Sequence, residues 1–85
     1  MIIDYKEIKK IDIASQELIG ILKSIEGVES VVANTVNLRD MTINYYIRTK
    51  GIGSEGVIKM KQEIGVIDKV RVGAEYRWVA KKSYA

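Results

Sequence analysis

Residues 41–48, MTINYYIR, alternate between two kinds of side chain. This period of two is typical of a β-strand with one buried face. One set is Met41, Ile43, Tyr45 and Ile47, and the other is Thr42, Asn44, Tyr46 and Arg48. Before this segment, residues 28–36 are rich in β-branched side chains and residues 37–40, NLRD, supply turn formers. The two segments therefore predict a β-hairpin with one face on a core and the other in water.

An amphipathic helix is predicted on the N-terminal side of the hairpin, over about residues 5–26. Its core-facing side would carry Ile8, Ile11, Ala14, Ser15, Leu18, Ile19, Leu22 and Ile25. Asp4 and Glu7 have the spacing of a capping box at its start, and Gly27 suits its C-terminal end.

A second interpretation of the N-terminal segment stays open. Ile13 falls on the polar side of the predicted helix, and Gly20 costs about 1 kcal/mol relative to alanine inside a helix. The alternative is a short strand over residues 7–13 with a helix that begins near Ala14. Both interpretations keep residues 14–26 helical.

The segment after the hairpin begins with a glycine-rich stretch, residues 51–56, GIGSEG. Because it follows a hairpin strand, we interpret it as a loop and not as a dinucleotide-binding fingerprint. Gly53 or Ser54 would cap a second helix that ends near residue 64. One final strand is predicted over residues 69–81. Its even-numbered residues from Val70 to Ala80 would face the helices and its odd-numbered residues would face outward.

This order of elements predicts an α+β fold, a two-layer ferredoxin-like sandwich with the order α-β-β-α-β. The last strand is expected beside the first strand of the hairpin and parallel to it. Residues 1–80 would form a single domain, followed by a short C-terminal tail over residues 81–85. With the alternative N-terminal strand the order becomes β-α-β-β-α-β.

Composition removes most catalytic chemistry. The 85 residues include no histidine and no cysteine, so the commonest general base, metal ligand and strong nucleophile are missing. We therefore expect no enzyme activity, no cofactor and no metal site. No apolar run is long enough for a signal peptide or a membrane span, which favours a cytoplasmic protein without membrane insertion.

The long first helix favours a protein–protein assembly module. A helix of this length would extend beyond a sheet of short strands, and the overhanging apolar stripe would need a partner. We therefore expect a homo-oligomer or a larger assembly, with Ile8, Ile11 and Trp78 at the interface, although Trp78 could instead close the core. The element order, with residues 25–31, IEGVESV, before the hairpin, resembles the ring-building modules of secretion and sporulation assemblies.

The alternative function is nucleic-acid binding through the outward face of the sheet. Tyr46, Arg48, Arg71 and Arg77 would share that face, where an aromatic side chain could stack on a base and the cations could bind phosphates. The net charge of +3 permits an acidic partner of either kind.

Overall fold

A computed structural model describes residues 5–72 and 75–84, except for the side chains of residues 66, 67, 72 and 75. Two helices and four strands lie in this part of the chain. They are α1 (Tyr5–Lys23), β1 (Val28–Asn37), β2 (Thr42–Thr49), α2 (Ser54–Ile64), β3 (Val66–Val72) and β4 (Glu75–Ser83). The predicted α+β class is confirmed.

The four strands form one open antiparallel sheet in the order β1-β2-β4-β3. The predicted ferredoxin-like order is not confirmed. The final segment is two strands instead of one, and β4 pairs with β2, not with β1. Because both β2 and β3 run antiparallel to β4, they run parallel to each other, and α2 connects them across the intervening strand.

The short connection between β3 and β4 explains why the final segment forms two strands. Val72 pairs with Glu75, so only residues 73–74 join the two strands, and these lie outside the described residues. A connection of two residues can join only antiparallel neighbours, whereas the predicted parallel arrangement needs a long crossover. The segment we took for one strand therefore folds as a hairpin.

The N-terminal segment is helical from Tyr5, and the alternative strand over residues 7–13 is wrong. The helix ends at Lys23, earlier than the predicted residue 26, and hydrogen-bonded turns lead from it to Gly27. The predicted capping box depends on Asp4, which lies outside the described residues.

Both helices pack on one face of the sheet, and we call this the inner face. The core described there consists of apolar side chains from α1, the turn after α1, α2, β1, β2 and β4. It comprises Ile11, Leu18, Leu22, Ile25, Val31, Ile43, Tyr45, Ile47, Met60, Ile64, Trp78 and Ala80. The alternation predicted for residues 41–48 is confirmed within β2, because Ile43, Tyr45 and Ile47 are buried while Tyr46 and Arg48 are exposed.

Polar groups within this core are paired. The Tyr45 hydroxyl lies 2.7 Å from the Ser15 hydroxyl on α1 and 2.6 Å from the Tyr84 hydroxyl, so one chain of hydrogen bonds joins three segments. The Trp78 Nε1 donates to the Thr49 Oγ1 at 2.8 Å. Among the described residues, no buried side-chain nitrogen or oxygen lacks a hydrogen-bond partner. These pairs avoid the cost of burying an unsatisfied polar group.

The C-terminal residues are structured farther than predicted. Strand β4 continues to Ser83, so residues 81–83 belong to the sheet and not to a tail. Tyr84 then donates its backbone N–H to the carbonyl oxygen of Met41 at 2.7 Å.

The glycine-rich stretch has the predicted structural role. Gly53 is the N-cap of α2, and its carbonyl oxygen accepts the N–H of Val57. Ile52 packs between two glycines, since a Cβ on Gly27 would lie 2.6 Å from the Ile52 Cα and a Cβ on Gly56 would lie 2.7 Å from its Cγ1. Gly27 also has φ of +96°, which favours glycine. The glycine-rich stretch therefore packs against the turn that follows α1.

Candidate interaction surface

The face of the sheet opposite the helices carries the candidate site, and we call it the outer face. Because directly paired residues in an antiparallel sheet share a face, the register assigns its members. The row Ser30, Arg48, Arg77 and Val70 crosses all four strands. The next row is Val32, Tyr46, Val79 and Asp68.

Part of the outer face is apolar and accessible. Val32, Tyr46 and Val70 are 56, 47 and 45% exposed. Together with Val79 they line a shallow depression of about 470 Å³, whose lining also includes Arg48 and Arg77. Contiguous exposed apolar side chains with a polar rim are typical of binding surfaces.

Two arginines occupy directly opposed positions beside this depression. Arg48 on β2 pairs in register with Arg77 on β4, and both side chains are exposed. Like charges at directly opposed positions repel each other across strands. Lys81 lies on the same face of β4, paired with Asn44. The depression therefore has a positively charged border on these two strands.

Arg71 does not join the other residues of the predicted nucleic-acid surface. It pairs with Tyr76 and belongs to the inner face, whereas Tyr46, Arg48 and Arg77 lie together on the outer face. The prediction for Arg71 is therefore wrong. In a hairpin with a two-residue connection, paired residue numbers add to an odd sum, so the inward positions change from even numbers on β4 to odd numbers on β3.

The same change explains the position of Val70, which lies on the outer face instead of facing the helices. It also places Lys69 on the inner face, opposite Trp78. The Lys69 Nζ lies 3.9 Å from the centre of the Tyr76 ring and 5.7 Å from that of the Trp78 ring. These distances suit cation–π interactions, in which the Lys69 ammonium group lies over the Tyr76 ring and near the Trp78 indole.

The predicted interface residues do not form one exposed surface. Ile11 and Trp78 are both buried in the core, although Ile11 also lines a groove together with Ile8. Ile8 is half-buried and lines a groove of about 460 Å³ between the first turns of α1 and the strands β1 and β2. The chain itself therefore largely covers two of the three residues predicted for the interface, Ile11 and Trp78.

The sequence analysis missed the apolar part of the outer face, Val32, Val70 and Val79. Val32 was missed because β1 changes register near Glu29 and Asn34, so its face cannot be read by simple alternation. For Val70 a signal was present. Gly73 followed by one residue between two alternating runs is the pattern of a two-residue hairpin with glycine first.

Other kinds of site are less well supported in the described part of the chain. Its acidic residues form no group of three or more that could hold a metal ion. Neither α1 nor α2 is long and apolar enough to cross a membrane.

Comparison with known proteins identifies no relative: no family model, no curated protein and no solved structure matches the chain. A function can therefore be inferred only from the residues of the outer face and their exposure.

Proposed function

We propose that this protein is a non-catalytic protein–protein interaction module that binds its partner through the outer face of the sheet. The observation that carries the proposal is the position of Tyr46. It is half-exposed and lines an apolar depression, with Arg48 and Arg77 beside it. Tyrosine and arginine are enriched in the residues that dominate protein interfaces, and such residues cluster in the middle of the contact area.

The size of the chain supports the same proposal. A domain of 85 residues has a small core, and here the helices cover only one face of the sheet. Covering the outer face would bury apolar surface that the isolated chain leaves in water. We therefore propose that the protein docks into a larger complex and that it does so in the cytoplasm.

Selection from a random-peptide library tests this function without a known partner. We expect peptides to be enriched and to perturb the backbone amide signals of outward residues on β2 and β4 in a two-dimensional NMR titration. Tyr46→Ser should weaken their binding by at least roughly tenfold, the effect expected of an interface hot spot.

Tyr5→Ser is the matched control, because Tyr5 is an even more exposed tyrosine that lines the groove beside α1. This variant should bind the selected peptides as the wild type does. If Tyr5→Ser abolishes binding and Tyr46→Ser does not, the interaction surface is the helix groove and the proposal is wrong.

Nucleic-acid binding is the second candidate function, favoured by the position of Tyr46 beside two arginines on one exposed face. Its test is a salt-dependent shift in the mobility of single-stranded oligonucleotides, because phosphate contacts release counterions. Two observations make it the weaker proposal. Arg71 lies on the inner face, and Tyr46 is the one aromatic ring among the residues that line the depression.

A further inference from the structure

We infer that the partner of the outer face is an acidic protein segment that inserts an aliphatic side chain into the depression. This inference depends on the proposed interaction function and specifies the chemistry of the partner. It follows from the charge of the face, from the side chains that line the depression and from the symmetry that a dimer of this chain would have.

The charge of the face selects an acidic partner. Strand pairing places Arg48, Arg77 and Lys81 on adjacent strands β2 and β4. The side chains described on the outer face also include a carboxylate, Asp68, which lies on β3 opposite Val79. Carboxylates of a partner would be attracted to these exposed cations, and an arginine can bind a carboxylate through two hydrogen bonds at once.

The lining of the depression selects an aliphatic side chain over a nucleic-acid base. Three of its lining residues are valines, Val32, Val70 and Val79, and Tyr46 is the one aromatic ring among those that line it. Binding of single strands relies on several aromatic platforms for successive bases. A leucine or isoleucine side chain fits a valine-lined depression without stacking.

Symmetry argues against a second copy of this chain as the partner. A two-fold dimer is self-complementary, so stacking two outer faces through the depression would bring Arg48 and Arg77 of one protomer close to the same residues of the other. Like charges placed against each other at an interface cost several kcal/mol. The charge of the face therefore favours a different, acidic partner.

A set of labelled peptides tests the inference in fluorescence anisotropy titrations. The probe is a short peptide of alternating glutamate and leucine, and its two controls replace every glutamate by glutamine or every leucine by serine. We expect the Glu/Leu peptide to bind most tightly, and its affinity should fall as salt rises because the contacts are ionic. Both controls should bind at least roughly tenfold more weakly, since each loses one kind of contact.

A charge-matched pair of variants assigns the contact to the outer face. Replacing Arg48 and Arg77 by glutamine should weaken binding of the Glu/Leu peptide by at least roughly tenfold. Replacing Lys10 and Lys59, which are exposed on the two helices, by glutamine removes the same net charge. This variant should bind the Glu/Leu peptide with an affinity within about twofold of the wild type. Equal losses in both variants would overturn the inference, because binding would then follow net charge alone.

The outcomes separate this inference from the proposed function. If the glutamine control binds as tightly as the Glu/Leu peptide and still perturbs outer-face amides, the acidic partner is wrong and the interaction function stands. If no peptide perturbs outer-face amides, the proposed function itself fails. Binding of oligothymidylate to that face in place of peptides, or a dimer in light scattering with outer-face signals broadened, overturns the inference in favour of nucleic acid or a second copy.

Discussion

Tyr45 and Tyr46 are neighbours on β2, yet they have opposite environments. Tyr45 is 0% exposed and shares hydrogen bonds with Ser15 and Tyr84, whereas Tyr46 is 47% exposed between Val32 and Val79. Successive residues of a strand point to opposite faces, so adjacent residues can lie in the core and on the exposed surface of the sheet. The buried polar side chains described on the inner face are hydrogen-bonded within the chain, whereas the outer face carries exposed charged side chains.

The largest expected difference between the two faces is in stability. Tyr45→Ala should lower the free energy of unfolding by about 3–5 kcal/mol, because it leaves a large cavity in the core. Tyr46→Ala should lower it by less than about 1 kcal/mol, as is usual for an exposed position. Urea unfolding followed by the fluorescence of Trp78, the single tryptophan, measures both values. Equal losses would contradict the assignment of the two faces.

A smaller difference is expected for two threonines of β2. Thr49→Val keeps the shape of the side chain but leaves the buried indole N–H of Trp78 without its acceptor, at a cost of about 1–3 kcal/mol. Thr42→Val is the control on the outer face and should change stability by less than about 0.5 kcal/mol. Denaturation curves in which Thr49→Val matches the wild type would show that this hydrogen bond does not stabilise the inner face.

The inner face also predicts a dependence of stability on pH. Burial, and then the hydrogen bond with Tyr45, raise the pKa of the Tyr84 hydroxyl above its usual value. Above about pH 10 the unfolded chain loses this proton while the folded chain keeps it. Stability should therefore fall with rising pH there, by at most about 1.4 kcal/mol per pH unit from this group.

Tyr84→Phe isolates the contribution of that hydroxyl. Its unfolding free energy should fall less steeply above pH 10 than that of the wild type, because the group that titrates is gone. Parallel slopes for the two proteins in alkaline urea titrations would show that Tyr84 is not responsible.

The smallest expected effect on stability is on the outer face and has the opposite sign. Arg77→Glu replaces a like-charge pair with an opposite-charge pair across from Arg48, and should stabilise the fold by about 0.2–1 kcal/mol. The same variant should lose affinity for the Glu/Leu peptide. A residue whose replacement improves folding while it removes binding is retained for function and not for stability. Loss of stability in this variant would contradict the account of the arginine pair.

The contrast also shows what the sequence could predict. Helices α1 and α2 and the β1–β2 hairpin follow from local periodicity, and so do the faces of residues 42–48. The β3–β4 hairpin was missed because the alternation over residues 69–81 was given more weight than the turn signal at Gly73, and the short connection reverses which residue numbers face inward. Arg71 and Val70 were exchanged between faces for this reason.

The interface could not be predicted from apolar periodicity alone. Ile11 and Trp78 have the composition of an interface, but tertiary packing covers them. Val32 faces outward through register changes in β1 that depend on pairing with β2. The site therefore depends on long-range pairing, which a single sequence does not specify.

A charge exchange between the protein and the probe tests the central claim most directly. In the variant with Arg48→Glu and Arg77→Glu, with folding checked by the same urea curve, the outer face would carry carboxylates in place of guanidinium groups. We predict that this variant loses the peptide of alternating glutamate and leucine and gains a peptide of alternating lysine and leucine, at affinities that mirror the wild type. If the variant and the wild type bind the two peptides alike, the outer face is not the binding surface.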